Sequence, residues 1–156
     1  MKIKKLLLLT ISSALILLIL SGCSNANISL RLRPNPIEFS EGQTKKELSL
    51  EVKTEGLGSI SLNKMIVEVI DQDDQRIFSE EKDIDISAPL IVGGFSDTVS
   101  YTLDLEKIFE LSDYGYQADE AFSVLYTEVL QGKTHSLRVS LTGSNNTALT
   151  AQIIYN

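Results

Sequence analysis

Apolar side chains recur at every second position through most of this chain, a pattern that commits each such segment to a sheet with one dry and one wet face. Ile28, Leu30 and Leu32 alternate with Ser29, Arg31 and Arg33, and Leu48, Leu50 and Val52 with Ser49, Glu51 and Lys53. Met65, Val67 and Val69 continue the alternation, while Ile66 and Ile70 make that segment apolar on both sides, as a central strand requires. Val99, Tyr101, Leu103 and Leu105 follow, then a nearly continuous apolar run from Phe122 through Val124 and Tyr126 to Leu130. Leu137, Val139 and Leu141, and finally Leu149, Ala151, Ile153 and Tyr155, complete the series. This predicts an all-β chain of about 7–9 antiparallel strands closed as a β-sandwich.

Turn chemistry separates the strands. Asp71-Gln72-Asp73-Asp74-Gln75, Gln131-Gly132-Lys133 and Gly143-Ser144-Asn145-Asn146 supply residues that tolerate the positive φ of hairpin turns. One segment breaks the period: Leu105, Ile108, Phe109 and Leu111 recur at helical spacing behind Asp104, a residue suited to N-capping. A single short helix is expected near 104–111.

A helix between two late strands, the Asp113-Tyr114-Gly115-Tyr116 run behind it, and Pro34 and Pro36 ahead of Ile37 and Phe39 together resemble immunoglobulin-like and fibronectin-like modules. The resemblance implies that the helix is the crossover between two sheets. It also implies a corner in which a tyrosine hydroxyl bonds back to the backbone.

The N-terminus carries a different signal. Lys2, Lys4 and Lys5 precede an apolar run from Leu6 to Leu20, broken only by Thr10, Ser12 and Ser13, and small residues follow. Cys23, the one cysteine, closes the run Leu20-Ser21-Gly22-Cys23, which resembles the lipobox of bacterial lipoprotein precursors. The resemblance implies that residues 1–22 are a cleaved signal peptide and that Cys23 is diacylated on sulfur. Residues 23–27 would then be a short lipidated tether and 28–156 one sandwich domain. In a host with two membranes, Ser24 resembles the residue that permits transfer to the outer membrane; with one, the protein stays on the outer face of the cell membrane. Plain secretion and an uncleaved membrane anchor are the alternatives for the leader.

Beyond residue 22 the chain has 11 basic and 21 acidic residues, a net charge of −10. That balance excludes nucleic acid as a partner, since its binding needs a basic stripe. Ser24, Asn25, Ala26 and Asn27 are all that separate Cys23 from Ile28, a reach of about 20 Å at most, so the domain is expected to sit close against the membrane.

Little catalytic chemistry is available. Zinc or copper sites need clustered His and Cys, and the lone histidine, His135, reads as an exposed turn residue. No Gly-x-Ser-x-Gly elbow occurs, and Gly93-Gly94 stands alone. Asp71, Asp73 and Asp74 could form a loose calcium loop. The helix-loop-helix calcium motif is absent, because Arg76 and Lys82 stand where it needs Gly and Glu, and a solvated hairpin tip is the better reading. Asp104, Glu106, Glu110, Asp113, Asp119, Glu120 and Glu128 could in principle supply the two carboxylates of a glycosidase, but no tryptophan offers a sugar platform.

No catalytic residue and no cofactor are expected. The reading is a membrane-anchored, extracytoplasmic binding or structural module for another envelope protein, through loops at one end or by lending a sheet edge. The alternatives are a small-ligand or Ca²⁺-binding envelope lipoprotein and, behind it, a carbohydrate-active enzyme. Intact mass spectrometry of detergent-extracted protein should show loss of residues 1–22 and an acyl increment on Cys23; a full-length or unacylated chain would return the leader to its alternatives.

Overall fold

The computed structural model describes residues 26–117 and 119–156. The leader, Cys23, Ser24 and Asn25 lie outside the described residues. Six strands form: β1 (Asn27–Arg33), β2 (Ile37–Phe39), β3 (Lys45–Ile70), β4 (Arg76–Asp104), β5 (Thr134–Gly143) and β6 (Thr147–Tyr155). Between β4 and β5 lie α1 (Leu105–Ile108), a 3-10 turn (Leu111–Tyr114), and α2 (Phe122–Leu125), which runs directly into a π turn (Tyr126–Leu130).

The expected sandwich is built in an economical way. β3 and β4, 26 and 29 residues long, pair antiparallel along almost their whole length. They bend together, so each contributes one arm to either layer. One layer is β1, the first arm of β3 and the second arm of β4. The other is β2, β6, β5, the second arm of β3 and the first arm of β4. Counted as straight arms, the six strands are eight, within the expected range. All pairs are antiparallel except β2 with β6, where Ile37 lies opposite Ile153 and Phe39 opposite Tyr155 in parallel register.

The bend is written in the sequence around residue 60. Gly56 and Gly58 have φ of 112° and 149°, conformations open to glycine and strained for other residues. Register shifts between Gly58 and Ile60 and between Leu62 and Lys64 insert extra residues into the ladder, and Pro89, which has no N–H to offer a ladder, falls opposite the first of them. The second shift resets the alternation. Leu48, Leu50, Val52, Thr54, Ile60 and Leu62 are buried before it, and Met65, Val67 and Val69 after it. Both arms therefore turn their dry faces to one core, where Leu50 and Val52 join Val67, Leu137, Ile153 and Tyr155 in a single cluster. As expected, the Met65–Ile70 segment is central, paired on both sides.

Opposite the bend, side chains close the gap between the two arms of β4. Glu80 accepts from Tyr101 Oη at 2.8 Å and from Lys107 Nζ at 2.7 Å, and Lys82 Nζ reaches the Ser100 carbonyl at 3.5 Å. The two lysine-ward and phenolic bonds hold the Glu80 carboxyl below its ordinary range.

Three expectations fail in the crossover. The run Phe122–Leu130 is helical instead of extended, although its residue types favour strands. The crossover packs over the end of the sandwich, and coiling lets Leu125, Tyr126 and Leu130 all reach the core. Gln131-Gly132-Lys133 consequently joins the π turn to β5 and is no hairpin, with Gly132 at φ 77° donating to the Tyr155 carbonyl at 2.9 Å. The tyrosine corner is also displaced. Tyr114 is exposed and Tyr116 bonds Glu128, whereas Tyr126 Oη reaches the backbone carbonyls of Phe39 and Asn156, each at 2.9 Å.

The strand directions sort the molecule into two ends. Ala26, the bend of the β3–β4 ribbon and the β5–β6 turn lie at one; the C-terminal residue Asn156, the 71–75 turn and the crossover lie at the other. At the first end the ribbon is sewn to the turn: Ser61 N–H donates to Ser144 Oγ at 3.0 Å and Ser144 N–H to the Ser61 carbonyl at 2.8 Å. Gly143 makes this approach possible, because a Cβ there would overlap the Ser61 carbonyl oxygen and stand 2.9 Å from Leu62 Cα. Gly143→Ala should destabilise the domain by about 1–3 kcal/mol, the range for forced overpacking, read as a lower urea midpoint at unchanged slope.

Candidate functional site

The crossover end gathers most of the side chains that carry chemistry. Asp104 caps α1, its Oδ1 accepting from Glu106 N–H at 3.1 Å while Oδ2 pairs with Lys45 at 3.0 Å, as the sequence predicted. α1 buries Leu105 and Ile108, and Phe109 follows them into the core. Gly115, at φ 81°, closes the 3-10 turn. Tyr116 Oη then donates to Glu128 at 2.7 Å, and Gln117 N–H to Glu120 at 2.8 Å. These bonds fix the path of a segment with little regular structure.

A cleft of about 440 Å³ opens between these turns, lined by Glu106, Phe109, Glu110, Leu111, Ser112, Glu120 and Phe122. Its floor is apolar and its rim acidic. The nearest lysine in sequence, Lys107, is turned away to Glu80 and over the Phe78 ring, 5.8 Å from its centroid. Such a surface suits an apolar segment bearing basic residues.

Beneath the cleft lies an aromatic cluster. Phe109 meets His135 with ring centroids 5.4 Å apart and Tyr155 at 6.2 Å; Tyr155 also meets His135 at 5.4 Å edge-on, Tyr126 at 6.2 Å and Phe39 at 6.2 Å. His135 is therefore not the exposed turn residue expected. It sits within β5, half-buried between two rings. Its Nδ1 and the Tyr155 hydroxyl are buried without a hydrogen-bond partner among the described residues, a costly arrangement for polar atoms. Burial lowers the proton affinity of His135 against the opposing pull of Asp71, and burial raises that of Tyr155 far beyond reach.

The other residues singled out in the sequence are dispersed in role. Asp71 Oδ1 accepts from Asp73 N–H at 2.9 Å and Gln75 N–H at 2.8 Å, so it serves its own turn, and Asp74 adopts φ 59° beside it. Asp71, Asp73 and Asp74 project from a solvated tip, and no three His, Cys, Asp or Glu side chains among the described residues converge in a metal-holding group. The carboxylates considered for glycoside cleavage lie in the crossover or, for Asp104, at the end of β4 that leads into it, and Asp104, Glu120 and Glu128 are each engaged in the structural bonds above.

A second groove was invisible in the sequence. The outer edge of β1 and the first part of β6 run alongside each other with no ladder between them. Leu30, Arg31, Leu32, Arg33, Asn35, Leu149 and Thr150 line a groove of about 530 Å³ there. Alternation marked these residues as strand; only the pairing shows which edges stay open.

No family model matches the chain, and no curated protein does. Among solved structures it is similar to the periplasmic chaperone SfaE, at 9% identity over 82% of this chain and 57% of that one, with a TM-score of 0.42. It is similar also to a beta-glucosidase from Listeria innocua in complex with glucose, at 15% identity over 85% of this chain and 17% of that one, TM-score 0.43. A CARDB domain from Pyrococcus furiosus, in complex with di-metal ions, gives 9% identity over 86% of this chain and 97% of that one, TM-score 0.40. The chain thus spans little more than half of the chaperone and about a sixth of the glucosidase. The fold assignment rests on the strand pairing itself.

The half-buried imidazole makes stability depend on pH. With its folded pKa below the ordinary 6.5, the contribution of His135 is complete above pH 6.5 and is lost as pH falls from there through the lower folded value, since the unfolded chain takes up the proton first. In urea titrations, the midpoint of His135→Phe relative to the unsubstituted protein should shift in the variant's favour as pH drops below 6.5; a constant difference would mean that His135 is solvated in the fold.

Proposed function

We propose that this protein is an extracytoplasmic lipoprotein, held to a membrane through acylated Cys23, whose sandwich holds its crossover end out as a docking site for another envelope protein. The observation that carries this reading is the cleft floored by Phe109, Leu111 and Phe122 and rimmed by Glu106, Glu110 and Glu120, at the end of the domain away from Ala26. A tether of a few residues leaves the opposite end facing the bilayer, so the crossover is the surface that a second protein meets. The matching partner segment is apolar with basic side chains: the rim steers its approach, and the floor removes apolar surface from water. The residues of the crossover are spent on turns and packing, which favours binding over catalysis.

A small-ligand reading draws on the same cleft, whose volume lies within the usual range of ligand sites, about 300–1,000 Å³. A metabolite or Ca²⁺ that raised the melting temperature by mass action would favour it.

A photo-crosslinking residue placed at Phe122 in the lipidated protein should trap one partner reproducibly in intact envelopes, and the same probe at Thr98 should not. Glu110→Lys, which changes an exposed carboxylate with no ion pair among the described residues, should weaken that adduct at least tenfold, equivalent to about 1.4 kcal/mol, with the melting temperature unchanged. An adduct indifferent to the charge reversal, or none at all, would remove the crossover end as the docking site.

A further inference from the structure

The end of the domain where the chain enters carries an exposed apolar tip. Leu57 and Val92 lie directly opposite each other in the β3–β4 ribbon, 63% and 72% exposed. Gly56, Gly58 and Gly93 flank them and have no side chains to cover them. These two are the most exposed large apolar side chains among the described residues, ahead of Tyr114 and Val124, and a bare aliphatic pair at the extremity of a domain calls for a partner. The position of the chain entry indicates which. Asn27 pairs with Glu55, so Leu57 and Val92 project about 7 Å beyond the first strand pair. Ala26 is already packed, 9% exposed. Only Ser24 and Asn25 then separate it from Cys23, a span of at most about 11 Å from Cα to Cα.

Charge is sorted along the same axis. The segments making up this end, 26–27, 55–60, 88–94 and 143–147, hold one charged side chain, Glu55. Those at the other end, 40–44, 71–75 and 105–133, hold ten acids and two lysines. An anionic bilayer surface repels the second end and leaves the first free to approach.

We infer that the Leu57–Val92 tip is a second membrane contact, seated in the headgroup layer beside the lipid anchor, so that the domain stands on the bilayer with its crossover end pointing away. This rests on the acylation of Cys23. The anchor holds the tip at the surface; the tip turns a flexible leash into a fixed orientation. Amphipathic proteins gain interfacial affinity in the same way, by adding buried apolar area to an acyl chain.

The chain has no tryptophan, so a single introduced one is a clean probe. Leu57→Trp, Val92→Trp and, as the distant control, Val124→Trp are purified from membranes, checked by mass for acylation, and reconstituted in phosphatidylcholine vesicles with and without lipids spin-labelled near the headgroup. The expected result is blue-shifted emission with loss of most of its intensity to the spin label for Leu57→Trp and Val92→Trp, and neither effect for Val124→Trp. Acylated protein whose tip probes emit and quench like the control would overturn the inference while leaving the anchor intact. A blue shift without quenching would also overturn it, by showing the tip buried against protein, including a second copy of this chain. A chain without acyl groups would remove the anchor and this inference with it.

Discussion

The pairing of β3 with β4, carried through the bend by bulges, is the constraint on which the remainder of the structure depends. In a sandwich joined by ordinary loops, the two layers are held together by side-chain packing alone. Here the backbone ladder itself passes from one layer to the other, and bulges at Gly58–Ile60 and Leu62–Lys64 absorb the change of direction. A one-residue slip would turn every dry side chain of an arm outward. The bulges are therefore what allow Val52 and Val67, on arms of opposite phase, to share one core.

The bent ribbon also determines what each end of the molecule can carry. Because it places the bend, the β5–β6 turn and Ala26 together, that end is built from close backbone approaches and small residues, with Gly143 against Ser61 and glycines around Leu57 and Val92. The other end must bridge the layers over a long crossover, and its bonds are made by side chains: Asp104 on α1, Tyr116 on Glu128, Tyr126 on the carbonyls of Phe39 and Asn156. Packing the crossover over the strand ends buries Tyr155 and half-buries His135 among aromatic rings and leaves Nδ1 and Oη without partners among the described residues. Such unsatisfied groups are rare in folded proteins, and Phe109, which lines the cleft, contacts both rings.

Much of the fold was legible because its signals are local. Period two marked β1, β5, β6, both ends of β3 and the last part of β4, since alternation follows from strand geometry whatever the partner, while β4 ahead of Val99 was not marked by it. Asp104 announced α1, because an N-cap needs only the next turn of its own helix. The failures are equally instructive. Phe122–Leu130 has the composition of a strand and coils as a helix, because propensity yields to the tertiary demand that Leu125, Tyr126 and Leu130 face one core. His135 looked exposed from its neighbours Lys133 and Thr134 and is covered by Phe109, distant in sequence. The corner tyrosine was sought in Asp113–Tyr116; Tyr126 fills that role, since only the fold brings it to Phe39.

By itself the sequence determined that the described chain is a sheet protein with one dry face per strand, where most of its turns fall, and that the charge is strongly acidic, because these properties belong to residues and their immediate neighbours. The tertiary structure alone decided that the strands expected at 48–53 and 65–70 are one bent strand paired along its length with a second running from Arg76 to Asp104, that ten acids share one end while a pair of bare aliphatic side chains shares the other, and that a cleft forms over an aromatic cluster. Those are facts of adjacency between segments far apart in the chain, and no local pattern encodes which of two strand edges will meet.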